Sequence, residues 1–209
     1  MYRKDSIAAL ATPKGIGALA IIRVSGEELC SLFKKITKKK TPVPRLATLS
    51  SIYCPTTKKT LDSAIIIYFK APFSFTGEDL IEITCHGGHY IASSILDALF
   101  KLGVRPASAG EFSFRAFMNG KIDLTQAEAI SELISAKSGL GVNNGLKNIN
   151  GFVSRSVENI RKKVINMLSI IEHELDFSEE EIEQTNKEQH LLEIAKVKSE
   201  IRRLVKTTT

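Results

Sequence analysis

From Val142 onward the sequence places an apolar residue every three or four positions: Val142, Leu146, Ile149, Val153, Val157, Ile160, Val164, Leu168, Ile171 and Leu175. The intervals run 4-3-4, an eleven-residue period close to the natural turn of a straight α-helix. That period predicts one continuous amphipathic helix of ~50 Å, at ~1.5 Å per residue. A rod so long has more apolar edge than a domain of this size can cover. An acidic stretch follows (Glu172, Glu174, Asp176, Glu179, Glu180, Glu181 and Glu183), then a second stripe of Leu191, Ile194, Val197, Ile201 and Leu204. Few partners are left for either stripe. Another chain, or further sequence of the same protein, is expected to cover them.

Before residue 120 the periodicity is different. Ser6–Ala11 and Ala18–Val24 are short apolar runs parted by Thr12-Pro13-Lys14-Gly15, which is turn chemistry. Ser25-Gly26-Glu27-Glu28 sets a hydroxyl and a carboxylate three apart, as in a capping box, and predicts a helix through Leu29, Leu32, Phe33 and Ile36. Further strands are expected at Leu46–Tyr53, Ser63–Phe69 and Leu80–Cys85, with Ile65-Ile66-Ile67 reading as buried on both faces. Gly87-Gly88 then leads into a helix with Ile91, Ile95, Leu96, Leu99 and Phe100 along one side. Ser108 with Glu111, and Thr125 with Glu128, repeat the capping-box spacing and announce a short helix and a longer one. The expected fold class is α+β. A mixed β-sheet covered by helices occupies residues 1–119, and the first part of an all-α domain occupies 120–209.

Composition narrows the class. Hydrophobic residues at 43% and charged residues at 25% fit a soluble globular protein and exclude a disordered tail or a coiled-coil rod. No run approaches the ~20 apolar residues of a membrane span. The start, MYRKDSIAALATPKG, lacks the apolar length and cleavage site of a signal peptide, so a cytoplasmic protein is expected. Cys30, Cys54 and Cys85 are far apart and show no metal-ligand spacing, which excludes a disulfide scaffold and a zinc module. The net charge of +6 is unevenly placed. Residues 1–119 carry 16 Lys and Arg against 9 Asp and Glu, whereas 120–209 carry 13 against 14. Much of the excess lies in Lys34, Lys35, Lys38, Lys39, Lys40, Arg45, Lys58 and Lys59, which read either as a solvated basic loop or as a surface facing a polyanion. No aromatic residue interleaves with Lys34–Lys40, so base stacking is not indicated there.

Two stretches concentrate polar chemistry. In Phe75–Gly88, alternation along a strand puts Glu82 and Thr84 on one face and Ile81 and Ile83 on the other. A carboxylate within an apolar strand is costly to bury unless it is paired or used. Glu82 therefore either pairs with an arginine such as Arg23 or Arg115, or binds a ligand. Cys85 and His86 lack a third partner for nucleophilic chemistry and read as a strand end. Gly87-Gly88 ahead of a helix is compatible with anion binding, on weak evidence. In Gly110–Leu124, Phe112, Phe114 and Phe117 read as core or interface, Asn119-Gly120 as a turn, and Lys121 as a junction lysine beside a possible pocket. The P-loop pattern GxxxxGK[ST] occurs nowhere; Gly139, Gly141 and Gly145 do not make it.

These stretches carry a resemblance. Thr12-Pro13 with Gly15, Ile21-Ile22-Arg23-Val24-Ser25-Gly26, Phe75–Gly88, Gly110–Gln126 and Leu175-Asp176-Phe177 resemble the MnmE (TrmE) family of tRNA modification GTPases. The resemblance covers the family's N-terminal domain and the first half of its helical domain. It implies that a P-loop G domain, binding GTP with Mg and K, comes next in the family's full-length proteins, so this segment is not expected to hydrolyse GTP alone. It implies an N-terminal folate-binding module, similar to aminomethyltransferases, that forms a homodimer. The family's ligand positions for 5-formyltetrahydrofolate or another reduced folate fall on Arg23, Glu82 and Lys121. It also implies a flavin-dependent partner, MnmG (GidA), and a tRNA substrate. The pair installs a carboxymethylaminomethyl-type group at C5 of the wobble uridine, with folate supplying the one-carbon unit. The residue types agree, because a carboxylate accepts paired N–H bonds from a pterin, while Arg and Lys suit its carbonyl or the glutamate tail.

Lys14, Ile16, Ala18, Ala20 and Phe114 depart from the family's usual residues. The altered Lys14–Ala20 loop motivates an alternative, a dimerisation module that has lost folate binding. A stand-alone one-carbon transferase ranks last, since no catalytic acid can be assigned.

Overall fold

Alternation of apolar and polar residues shapes the central strands of this computed structural model, which describes residues 5–176 and 187–208. In β2 (Leu19–Gly26) the side chains of Ala20, Ile22 and Val24 are buried, and in β5 (Asp79–His86) those of Ile81, Ile83 and Cys85. The two strands pair antiparallel with Ile22 opposite Ile83 and Arg23 opposite Glu82. β4 (Thr60–Phe69) adds to β5 and β3 (Thr48–Tyr53) to β4, both antiparallel. β1 (Ile7–Leu10) pairs antiparallel with β2 on the other side and parallel with the two-residue β6 (Arg105–Pro106). The order is β3-β4-β5-β2-β1-β6, a six-stranded mixed sheet.

Helices α1 (Leu29–Thr37) and α2 (His89–Phe100) cover one face. Leu29, Leu32, Phe33 and Ile36 of α1 and Ala92, Ile95 and Leu99 of α2 close a core over Ile22, Val24, Ile66, Ile81 and Ile83. The opposite face is covered only in part. Along it run two cross-strand rows, Leu49–Ile65–Thr84–Ile21 and Ile67–Glu82–Arg23–Ala9. In the next row Ile7, Ser25 and Leu80 are buried beside α3 (Glu111–Met118). The isoleucine triplet does not lie buried on both faces, since Ile66 is 1% exposed while Ile65 is 44% exposed. Ile66 lies under α1 and α2, whereas Ile65 is on the face that is covered only in part.

The chain divides between Ile122 and Asp123 into two units. In the second, Asp123 caps α4 (Leu124–Ser135): its side chain accepts the Gln126 N–H and the Gln126 side chain accepts the Asp123 N–H. The capping box thus starts at Asp123 rather than at Thr125. A carboxylate is as good a cap as a hydroxyl, so two overlapping patterns competed. α5 (Gly139–Ile149) packs on α4, and α6 (Phe152–Asp176) packs on α7 (Lys187–Thr208).

The single rod predicted from Val142 is instead α5 and α6. Gly151, at φ +75°, breaks it. A left-handed residue ends a helix, and hydrophobic periodicity is blind to it. The stripe is still poorly covered, with Val157, Val164, Leu168, Leu191 and Ile201 between 43% and 57% exposed. Phe177 and the acidic Glu179, Glu180, Glu181 and Glu183 lie outside the described residues. No described helix is long and apolar enough to cross a membrane.

Candidate functional site

On the partly open face of the sheet, Arg23 and Glu82 sit directly opposite each other on β2 and β5. Arg23 Nε and Nη2 both donate to Glu82 Oε1, at 3.0 and 2.6 Å. The pair is half-buried, with side chains 30% and 24% exposed. Both bonds fall on one carboxylate oxygen, and Glu82 Oε2 takes no side-chain hydrogen bond among the described residues. Two rings flank the guanidinium: its carbon lies 5.4 Å from the centre of Phe75 and 5.8 Å from that of Phe112. Such contact favours the cation and puts two aromatic rings beside the pair. An acceptor oxygen, a cation and two rings in one half-buried place suit a flat heterocycle with an N–H edge.

Phe75 rides on the loop between β4 and β5, and the end of α3 holds that loop. Gly120 N–H donates to Phe117 O and Lys121 N–H to Ala116 O, the paired bonds of a Schellman C-cap with left-handed Gly120. This cap turns the chain back so that Asn119 Nδ2 donates to Thr76 O at 2.7 Å and Lys121 Nζ to Pro72 O at 3.0 Å. Gly77 lies beneath them at φ +78°, where a Cβ would stand 3.1 Å from both Asn119 Cβ and Lys121 Cγ. Lys121 therefore grips the loop that carries Phe75, and it shares no hydrogen bond with Arg23 or Glu82 among the described residues.

Arg115 is not Glu82's partner. It is 1% exposed and donates to Asp5 Oδ1 at 2.6 Å, Glu111 Oε1 at 3.1 Å and Glu78 Oε2 at 3.1 Å. Arg105 bonds Asp5 and Glu111 as well, at 2.8 and 2.6 Å. Ser25, expected to cap α1, belongs to β2, and its hydroxyl meets Thr76 and Glu78 at 2.6 and 2.8 Å. The cap position of α1 is held by Glu28 without a side-chain bond. Arg105 and then Arg115 hold the Asp5 carboxyl down at about 2 against the opposing pull of desolvation, and the same two arginines hold Glu111 at about 2. Burial alone would lower the Arg115 pKa, but its three carboxylates outweigh that and raise it. The network ties the start of β1, the Phe75 loop and α3 together. Sequence gave only a partial signal for it, the helical i,i+4 spacing of Glu111 and Arg115.

His86 is exposed at the end of β5, where its Nδ1 meets Asp62 Oδ1 at 2.7 Å and its N–H meets Asp62 Oδ2 at 2.9 Å. Desolvation opposes ionisation of Asp62, yet these bonds bring its pKa below the ordinary value. Cys85 is buried beneath it, and burial raises its thiol pKa. Gly87 is needed for packing, because a Cβ there would stand 2.4 Å from Gly17 O. Phe114 and Phe117 are 51% and 38% exposed, which leaves an interface as their reading and excludes the core. Beside the loop Thr12–Gly17 and the start of α2 lies a cavity of about 440 Å³, mostly apolar, with Lys14, Ile16 and Ala20 among its walls. Neither Arg23, Glu82 nor Lys121 lines it. No group of three or more metal-ligating side chains exists among the described residues.

Comparison with known proteins adds ancestry to this geometry. Residues 6–121 match the family described as GTP-binding protein TrmE N-terminus, and residues 124–209 match the MnmE helical domain. The chain is 46% identical over 182 residues to a tRNA modification GTPase MnmE of Aliarcobacter butzleri, covering 87% of this chain and 41% of that protein. It is 48% identical over 179 residues to one from Sulfurimonas denitrificans, covering 86% and 40%. A third, from Flavobacterium johnsoniae, is 41% identical over 209 residues, covering 98% and 45%. The chain thus spans less than half the length of these relatives. With one family matched across its sheet and another across its helices, the chain belongs to the MnmE (TrmE) family of tRNA modification GTPases.

Proposed function

We propose that residues 1–119 form a folate-binding, dimerising domain and residues 120–209 the first part of the helical domain of a wobble-uridine modification GTPase. In this reading the domain holds 5-formyltetrahydrofolate or another reduced folate, the one-carbon source for a carboxymethylaminomethyl-type group at C5 of the uridine. The full protein works on tRNA with the flavin-dependent partner MnmG (GidA), and GTP with Mg and K belongs to a G domain beyond these residues. The observation that carries the reading is the Arg23–Glu82 pair with one carboxylate oxygen open and Phe75 and Phe112 beside it. Glu82 Oε2 would accept from the pterin N–H edge, and the rings would pack on its faces. Lys121 contributes by fixing the Phe75 loop, from which its ammonium could turn to the glutamate tail.

A second copy of the chain is the proposed occupant of the open sheet face. Leu49 and Ile65 are 67% and 44% exposed in the row next to the Arg23–Glu82 pair. Calorimetry with 5-formyltetrahydrofolate tests the ligand. Glu82→Ala is expected to lower affinity at least tenfold, and wild-type affinity in that variant would count against the assigned site.

A second reading has an observation of its own. Arg23 and Glu82 already satisfy one another, and the departing residues Lys14, Ile16 and Ala20 line a cavity beside α2 that neither of them lines. A dimerisation module without folate would show a dimer by light scattering and no heat on folate titration.

A further inference from the structure

We propose that the β3 edge of the sheet, with the C-terminal end of α1 and the β3–β4 turn, docks the phosphate backbone of an RNA. Lys34 in the last turn of α1 and Lys38 at its cap are one turn apart, whereas Lys35 lines the cavity that Glu27, Glu28 and Leu102 share on the other side of the helix. Left-handed Lys38 caps the helix and swings its ammonium to 3.7 Å from the centre of the Tyr53 ring, at the end of β3. The next residue in the sequence, Cys54, starts the turn. Lys58 N–H donates to Cys54 O and Cys54 N–H to Lys59 O, which brings Lys58 and Lys59 beside Tyr53. Two groups of lysines twenty or more positions apart in sequence thus meet on one edge.

Helix chemistry explains only part of this arrangement. Cations at the end of α1 suit its dipole, but Lys58 and Lys59 belong to no helix. Lys34, Lys38, Lys58 and Lys59 enter no ion pair among the described residues. The acids nearest in sequence lie elsewhere: Glu28 stands at the other end of α1, in the cavity with Lys35, and Asp62 is taken by His86. Arg45 and Lys39 are already engaged, donating to Phe73 O and Leu49 O. Four unpaired ammonium groups on an exposed edge repel one another until a polyanion neutralises them. Lysine makes point-charge contacts to phosphate without reading bases. RNA is favoured over other polyanions by the family's tRNA role, on which the inference rests.

The test uses the whole chain and a fluorescein-labelled unmodified tRNA transcript, with anisotropy measured over a salt series. Two variants of equal charge loss are compared: Lys34, Lys38, Lys58 and Lys59→Ala, and Lys101, Lys137, Lys147 and Lys198→Ala. The first is expected to lose affinity at least tenfold at 0.1 M salt. Its slope of log K against log salt should fall by about 3, at ~0.7–0.9 per phosphate contact. The second should keep most of the slope. Equal losses in both variants would reduce the effect to net charge, and an unchanged first variant would remove this surface from tRNA binding. If the wild-type chain binds no tRNA, its direct contact with the substrate is overturned. Vesicles containing phosphatidylserine serve as the other arm, and binding to them that is lost with the same four lysines would assign the edge to lipid. Folate titration of each variant, expected to be unchanged, keeps a failure here separate from a failure of the folate site.

Discussion

Arg115 shows how one buried side chain can organise a region. A guanidinium that is 1% exposed is tolerable only because Asp5, Glu78 and Glu111 surround it and Arg105 shares two of them. Arg115→Ala would leave three carboxylates crowded together, and denaturant unfolding is expected to show a loss of about 3–5 kcal/mol. Arg115→Lys should recover only part of this, because a point charge cannot serve three acceptors in one plane. The same network sets the acid limit of stability. Asp5 and Glu111, held at about 2 against ordinary values of 3.8 and 4.5, give stability that is fully present above the unfolded pKa values. It fades as pH falls from about 4.5 through about 2, when the folded carboxylates take up protons. The double variant Asp5→Asn/Glu111→Gln should be less stable at neutral pH and show a flatter melting-temperature profile over that window. A profile as steep as wild type would move the acid transition to other carboxylates.

Among the elements, those written in local pattern were legible and those decided by one backbone angle were not. β2 and β4 follow from short apolar runs and β5 from alternation, and α2 from its apolar side after Gly87-Gly88, but the isoleucine run did not show that only one face of β4 is buried. β6 has two residues and no pattern of its own; Arg105 becomes a strand because β1 offers it an edge. The Arg23–Glu82 pairing could be suspected from a carboxylate in an apolar strand, and register was needed to choose Arg23 over Arg115. Phe75 and Phe112 were visible as aromatics, but nothing local says that they meet one guanidinium. The break between α5 and α6 is the sharpest case, because the apolar stripe continues unaltered through Asn150-Gly151. Gly151→Ala should cost about 1–2 kcal/mol by thermal or urea unfolding, the penalty of a left-handed residue with a Cβ. The nearest obstacle is Arg155 Nη1, 3.2 Å from the added carbon, and a flexible side-chain end can move away. A gain in stability would mean that the two helices fuse into the rod that the period alone describes.

At the scale of the molecule, uncovered apolar surface occurs on both units and calls for different partners. In the first unit Leu49 and Ile65 lie side by side on a sheet face that no described helix closes, next to the candidate ligand pair. In the second, Leu168 and Leu191 are 53% and 57% exposed on long helices in a chain that spans less than half of its relatives' length. The proposed dimer belongs to the first surface. Sedimentation over a concentration series separates the two. Leu49→Lys/Ile65→Lys is expected to convert a dimer to a monomer without lowering the melting temperature of the monomer, since both side chains face solvent in the single chain. Leu168→Lys/Leu191→Lys is expected to leave the dimer intact and to reduce only higher, non-specific association. The opposite pattern would place self-association on the helices, and the sheet face would then need another reason for its exposed leucine and isoleucine.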